Sequence, residues 1–170
     1  YYCKVFSEVF EIPTIALRLF NVFGPRQRPE SPYAAAIPLF IDALSRGQPP
    51  TVFGDGKQTR DFTFVGDVAE AIFLATTKET GAFDVLNIAA GGRHSLLELL
   101  ERLGEIFDVE VQPRFAPPRP GDVRNSQADT SKARRILGWS AATSFEEGLQ
   151  RTVEWFLATR KKQGEVTASS

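Results

Sequence analysis

Residues 13–24 read PTIALRLFNVFG, and this stretch sets the architecture. Alternating and β-branched apolar residues run along it and stop at Gly24-Pro25, the pattern of a buried strand that runs into a loop. Asn21 stands at the end of that strand. In open α/β sheets ligands gather beyond the carboxyl ends of the strands, so a polar side chain there is a site candidate. A loop-capping asparagine explains it equally well.

Upstream, YYCKVFSEVF is amphipathic, with Val5, Val9, Phe6 and Phe10 on neighbouring faces and no capping residue before it. It reads as a helix cut open, and the chain is expected to be the C-terminal part of a longer protein. Downstream, AAAIPLFIDALSRG places Ile37, Phe40, Ile41 and Leu44 on one helical face and stops at Gly47. PTVFGDGKQTRDFTFV predicts two short strands joined through Asp55-Gly56, with Arg60 at the start of the second. Asp67 and Glu70 have capping-box spacing ahead of Val68, Ala71, Ile72 and Ala75, which makes them helix-start devices rather than a catalytic pair. VLNIAAGGRHSLLELLERLGEIF predicts strand, loop and helix. Gly91-Gly92 lacks the spacing of a phosphate cradle, Ser95 and Glu98 account for the helix start, and His94 reads as an exposed loop histidine.

Residues 117–129, PPRPGDVRNSQAD, are too proline-rich for a helix and too polar for a core strand. Pro117, Pro118 and Pro120 fix φ, so the segment predicts a stiff loop displaying Arg119, Asp122, Arg124 and Ser126. A helix around SKARRIL follows and ends at Gly138. A last helix from about Ser144 carries Phe145, Leu149, Val153, Phe156 and Leu157 on one stripe. The polar residues 163–170 are expected to be disordered.

A formal net charge of −1 over 170 residues, with Lys and Arg spread along the chain, argues against a nucleic-acid or membrane-surface footprint. A small molecule is the expected partner. One cysteine and one histidine leave no internal disulfide and too few soft ligands for zinc, which suits a reducing, cytoplasmic setting.

Three ordered segments, RLFNVFGPRQ at 18–27, FGDGKQTRDFTFVGDVAEA at 53–71 and RPGDVRNSQADTSKARRILGW at 119–139, resemble the extended short-chain dehydrogenase/reductases. These are the NAD-dependent nucleotide-sugar epimerases and dehydratases. The similarity runs from the first helix to Trp155 and looks closest to UDP-hexose 4-epimerases that accept N-acetylated sugars, because NVFGPRQ is followed by PYAAAIP and NSQAD. The resemblance implies an α/β fold: the C-terminal part of a Rossmann-type domain with its small mixed α/β substrate-binding domain. Residues 1–26 would end the NAD-binding domain, 27–162 would be mainly substrate domain, and the helix and strand of 67–90 would return to the Rossmann sheet. NAD would be held mainly by an N-terminal half outside this chain. The family's Gly-rich fingerprint and Tyr-x-x-x-Lys pair have no counterpart in it, since Lys4 has no tyrosine four positions before it and Tyr1 and Tyr2 have no lysine four positions after. No catalytic acid or base is assigned, and this chain alone is not expected to turn over substrate.

The resemblance carries over binding roles. Asn21 corresponds to the asparagine at the substrate diphosphate, and Phe20 to an aromatic at the cofactor boundary. Ala35, Ala36 and Phe53 correspond to the uracil pocket, Arg60 and Arg119 to two arginines on the diphosphate, and Asp122 to an acid near the ribose. Ser126 stands where epimerases restricted to plain hexoses tend to carry tyrosine, which would leave room for a 2-acetamido group. Arg124 is read as a surface charge. Family members often dimerise through a helix bundle, so a homodimer is expected. Dehydratase, decarboxylase or an inactive binding fragment are the competing readings.

Overall fold

The computed structural model describes residues 1–29, 35–79, 81 and 83–168, with side chains described as far as Lys161. Pro32, Tyr33 and Ala34 of the PYAAAIP segment lie outside the described residues, as do Ser169 and Ser170.

Helix α1 (Tyr2–Phe10) leads into strand β1 (Thr14–Leu19), and an asparagine in the left-handed region then redirects the chain. Asn21 has φ 33°, a conformation its short polar side chain tolerates better than most. The continuation, β2 (Val22–Phe23), therefore belongs to a different sheet. After the turn comes α2 (Ala36–Ser45), which buries Ile37, Phe40 and Ile41, as their helical spacing predicts.

Around the Asp55-Gly56 turn stand β3 (Thr51–Phe53), β4 (Thr59–Arg60) and β5 (Thr63–Phe64). Helix α3 (Val65–Thr77), β6 (Phe83–Ile88), β7 (His94–Ser95), α4 (Leu96–Phe107), β8 (Arg114–Ala116), α5 (Ser131–Leu137) and α6 (Phe145–Ala168) complete the order. Among the described residues four two-stranded sheets result: β1 with β6, β2 with β5 and β3 with β8, all parallel, and β4 with β7, antiparallel. The longest ladder pairs Thr14 with Phe83 through Leu19 with Ile88. The expected strands on either side of Asp55-Gly56 do form, but not as a hairpin. The turn sends β3 to the segment from Arg114 and β4 to the segment from His94, so each strand finds a distant partner.

Two apolar clusters hold these layers. One gathers Phe23, Phe62 and Phe64 with α2, α4 and α6, where Phe62 and Phe145 stack at 5.4 Å. The other packs Leu86 and Ile88 of β6 against Val68 and Ala71 of α3 and against Ala133, Leu137 and Trp139.

Helix starts follow two rules. Helix α4 carries a complete capping box, Ser95 Oγ accepting from the Glu98 N–H and the Glu98 carboxylate accepting from the Ser95 N–H at 2.6 Å. Helix α3 departs from the predicted Asp67/Glu70 box. It begins at Val65 behind Phe64, with no side-chain cap, and Asp67 is buried in its first turn. There its carboxylate accepts from the Thr143 N–H at 3.2 Å and hydroxyl at 3.0 Å, while its carbonyl accepts from Trp139 Nε1 at 3.0 Å. The reason is tertiary: a buried carboxylate needs donors, and the link between α5 and α6 supplies them. At the other end α6 stays helical to Ala168, where a disordered tail from residue 163 is expected.

Candidate functional site

The carboxyl end of β1, the start of α2, the end of β3, β4 and the proline-rich arm meet around a cavity of about 220 Å³. Its lining includes Asn21, Ala35, Ala36, Phe53, Arg60, Arg119 and Asp122, residues that span 101 positions of the chain. Phe20 and Ser126 are not brought into it. Phe20 sits half-buried at the end of β1, its N–H donating to the Ile88 carbonyl at 3.1 Å, and the Ser126 N–H donates to the Thr59 carbonyl at 3.1 Å.

Local chemistry places each group. Asn21 is exposed at the turn between β1 and β2, its carbonyl accepting from Thr63 N–H at 3.2 Å. The Arg60 side chain is only 16% exposed: Nη1 donates to the carbonyls of Thr59 at 2.8 Å and Val123 at 2.6 Å, and Nη2 donates to the Asp122 carboxylate. Arg119 is carried by the arm so that its guanidinium carbon lies 4.0 Å above the centre of the Phe53 ring, a cation–π contact on the cavity wall. The arm is seated on β4 by backbone as well, Thr59 N–H donating to the Arg124 carbonyl at 2.9 Å. Arg124 itself does more than face solvent, since it forks onto Asp55 at 2.7 and 2.9 Å.

Beneath this surface lies Asp61, fully buried one residue after Arg60. Its carboxylate accepts from Gly91 N–H at 3.0 Å and from Ala128 N–H at 3.1 Å. It thereby ties β4 to the β6–β7 loop and to the end of the arm. Burial pushes its carboxyl above the ordinary range, with the backbone donors opposing that shift.

Several contributors were not read from the sequence. Gln58 is 6% exposed, lines the cavity, and braces the wall by donating from Nε2 to the Phe53 carbonyl at 2.7 Å. Leu39, Phe40 and Leu96 supply apolar lining. A glutamine in a turn and leucines on helices carry no signal of their own, because only the folded partners give them a cavity to face. His94 corrects an expectation: it is half-buried in β7, paired with Arg60 in the ladder, and its ring stacks on Phe145 at 4.2 Å and 19°. The loop closes against β4, and this covers part of the histidine ring.

Two guanidinium groups and an aromatic face can receive an anion joined to a planar ring. Known proteins match this chain accordingly. The family described as GDP-mannose 4,6 dehydratase covers residues 1–152. A UDP-glucose 4-epimerase of Mycolicibacterium smegmatis is 34% identical over 155 residues, which are 91% of this chain and 49% of that protein. A dTDP-glucose 4,6-dehydratase of Xanthomonas campestris is 30% identical over 167 residues, 92% of this chain and 46% of the relative. The chain thus spans about half the length of the curated relatives it matches.

Among solved structures, UDP-glucose 4-epimerase of Thermotoga maritima with UDP-glucose superposes with a TM-score of 0.88 at 39% identity, over 93% of this chain and 50% of that one. UDP-N-acetylglucosamine 4-epimerase of Methanobrevibacter ruminantium, in complex with UDP-N-acetylmuramic acid, gives 0.88 at 38%, with coverages of 93% and 50%. UDP-glucuronic acid 4-epimerase of Bacillus cereus, in complex with UDP-glucuronic acid and NAD, gives 0.85 at 32%, with coverages of 92% and 49%. With most of its length matched by the family, and the same mixed α/β arrangement in its structural neighbours, the chain belongs to the GDP-mannose 4,6 dehydratase family of nucleotide-sugar epimerases and dehydratases.

Proposed function

We propose that this chain forms the nucleotide-sugar-binding part of an NAD-dependent UDP-hexose 4-epimerase. Its substrates would be UDP-glucose and UDP-galactose together with their N-acetylated counterparts. The observation that carries the reading is the meeting of Arg119, Phe53, Arg60 and the Ala35-Ala36 backbone in one cavity at the end of β1. A nucleoside diphosphate needs cations for its phosphates and a flat apolar wall with peptide groups for its base, and those groups converge here. The cavity, at about 220 Å³, is smaller than sites that enclose a whole ligand of this size. In this reading the remaining wall belongs to a Rossmann half outside residues 1–170, which also holds NAD.

NAD, when bound, supplies the hydride acceptor and donor that turn C4 into a ketone and back. This chain offers it Phe20 at the end of β1, and its sequence contains no G-x-G-x-x-G spacing. The chain's own contribution is to hold. Inverting C4 requires the hexose to turn over while the nucleotide stays anchored, so binding strength belongs at the diphosphate and freedom at the sugar. Arg60 and Arg119 anchor the diphosphate, and Asp122 reaches toward the ribose. Ser126, close to the arm's contact with β4, leaves room on the sugar side. The whole enzyme would act in the cytoplasm as a homodimer.

Calorimetric titration of the chain with UDP-GlcNAc, with NAD as control ligand, tests the anchor. Arg119→Ala is expected to weaken UDP-GlcNAc binding about 10- to 100-fold, the worth of charge-assisted hydrogen bonds to a phosphate. An unchanged affinity would remove the cavity from consideration as the diphosphate site.

Relatives carrying dehydratase and decarboxylase names support a second reading, in which the same clamp serves 4,6-dehydration or decarboxylation. The products formed by the whole enzyme from UDP-sugars, identified by proton NMR, decide between a C4 epimer and a deoxy or decarboxylated sugar.

A further inference from the structure

Arg60 is not an open fork. Of the five N–H donors of a guanidinium, two on Nη1 go to the Thr59 and Val123 carbonyls and one on Nη2 goes to the Asp122 carboxylate. Asp122 therefore takes a donor that an anionic ligand of Arg60 would use, and both residues line the cavity. Arg119 differs: it rests on Phe53 and has no carboxylate partner among the described residues. The two cations of the cavity are thus unequal, one neutralised internally and one available.

We infer that Asp122 is an internal stand-in for the ligand's phosphate and so sets the affinity of the site. Its carboxylate occupies the Arg60 fork when no anion is present, and an incoming diphosphate displaces it. The inference rests on the reading of the cavity as a nucleoside-diphosphate site. Three features make the exchange a local one. Carboxylate and phosphate oxygens take the same charge-assisted geometry at a guanidinium, so one can replace the other without moving the fork. Asp122 is 36% exposed at its side chain, and Gly121 before it has φ 78°, so the carboxylate has solvent to turn into. The arm also does not depend on Asp122 alone: Arg124 forks onto Asp55, and the Thr59 and Ser126 N–H groups pair with carbonyls across the same junction. Once Asp122 lets go, Arg119 is still held over Phe53. If the carboxylate then stays near the bound phosphates it repels them, and if it swings away it loses the fork. Both costs lower anion affinity.

The test uses calorimetry with inorganic pyrophosphate and with UDP on the wild-type chain, Asp122→Asn and Asp55→Asn. Pyrophosphate has no ribose, so it isolates the fork. Asp122→Asn is expected to bind pyrophosphate about tenfold more tightly than wild type, with the gain shrinking as salt is raised. Asp55→Asn loosens the same arm without changing the charge on the fork, and is expected to bring no gain. Weaker or unchanged pyrophosphate binding in Asp122→Asn overturns the inference, and so does an equal gain in Asp55→Asn, which would assign the effect to arm mobility. The two readings separate cleanly. UDP binding by wild type with no gain for pyrophosphate in Asp122→Asn removes the inference alone, whereas failure of the wild type and both variants to bind either ligand removes the nucleotide reading with it.

Discussion

Asp55 shows how much of the arm's placement rests on single side chains. It is a surface residue, and the Arg124 guanidinium hydrogen-bonded to it, helped by the Lys57 N–H, lowers its carboxyl from the usual 3.8 to about 2. The folded value lies below the ordinary one, so the contact contributes fully above the ordinary value and is lost as pH falls through about 2. The side-chain carboxyl resonance of Asp55 is expected to titrate near 2 and to move up toward 3.8 in Arg124→Ala. NMR-detected acid titration checks this. The adjoining Arg60–Asp122 pair joins β4 to the same arm but faces the cavity. One pair therefore seats the arm, and the other stands on the cavity wall.

At the scale of elements, the aromatic cluster is packed against a helix that has no room for a side chain. Gly148 lies in α6, and a Cβ placed there would stand 2.9 Å from Phe23 Cζ and 2.9 Å from Phe64 Cδ2. Two effects compete in Gly148→Ala. Helix propensity favours alanine by about 1 kcal/mol, while overpacking against buried rings costs about 1–3 kcal/mol. Those rings also pack edge-on to one another, Phe23 against Phe64 at 5.8 Å and against Phe62 at 6.2 Å, which leaves them little freedom to retreat. The expected outcome is a net loss of up to about 2 kcal/mol in urea unfolding. The effect should reach the site, because Phe23 and Phe62 also line the cavity.

At the scale of the whole molecule, several apolar side chains on α1, β1 and α3 stand uncovered. Helix α1 exposes Val5, Phe6, Val9 and Phe10 at 49–65%, Leu19 at the end of β1 is 48% exposed, and α3 turns Ile72 and Phe73 outward. The β1–β6 ladder has no third strand among the described residues. Scattered apolar residues are ordinary on a surface, but a helix whose apolar stripe stands out continuously favours association. The chain is expected to associate reversibly with concentration, and the double variant Phe6→Glu, Phe10→Glu to shift it toward monomer, as read by sedimentation velocity. No helix among the described residues is long and apolar enough to cross a membrane.

Periodicity determined the burying face of α2, the α4 capping box, the Gly138 stop after α5 and the α6 stripe as far as Phe145, Leu149, Val153 and Phe156, because each depends on residues within one or two turns; Leu157, expected on the same stripe, is 37% exposed. Family motifs pointed to Asn21, Phe53, Arg60, Arg119 and Asp122, and these do meet around one cavity. Only the tertiary structure decided what lies between them. It gave Asp67 its donors across to Thr143, took β3 and β4 to different partners, buried Gln58 against Phe53, and stacked His94 on Phe145. It also set Asp122 on Arg60, sixty-two positions away. The physical reason is one of range: caps and stripes are short-range facts of the chain, while a buried polar group is satisfied by whichever distant donor the fold delivers to it.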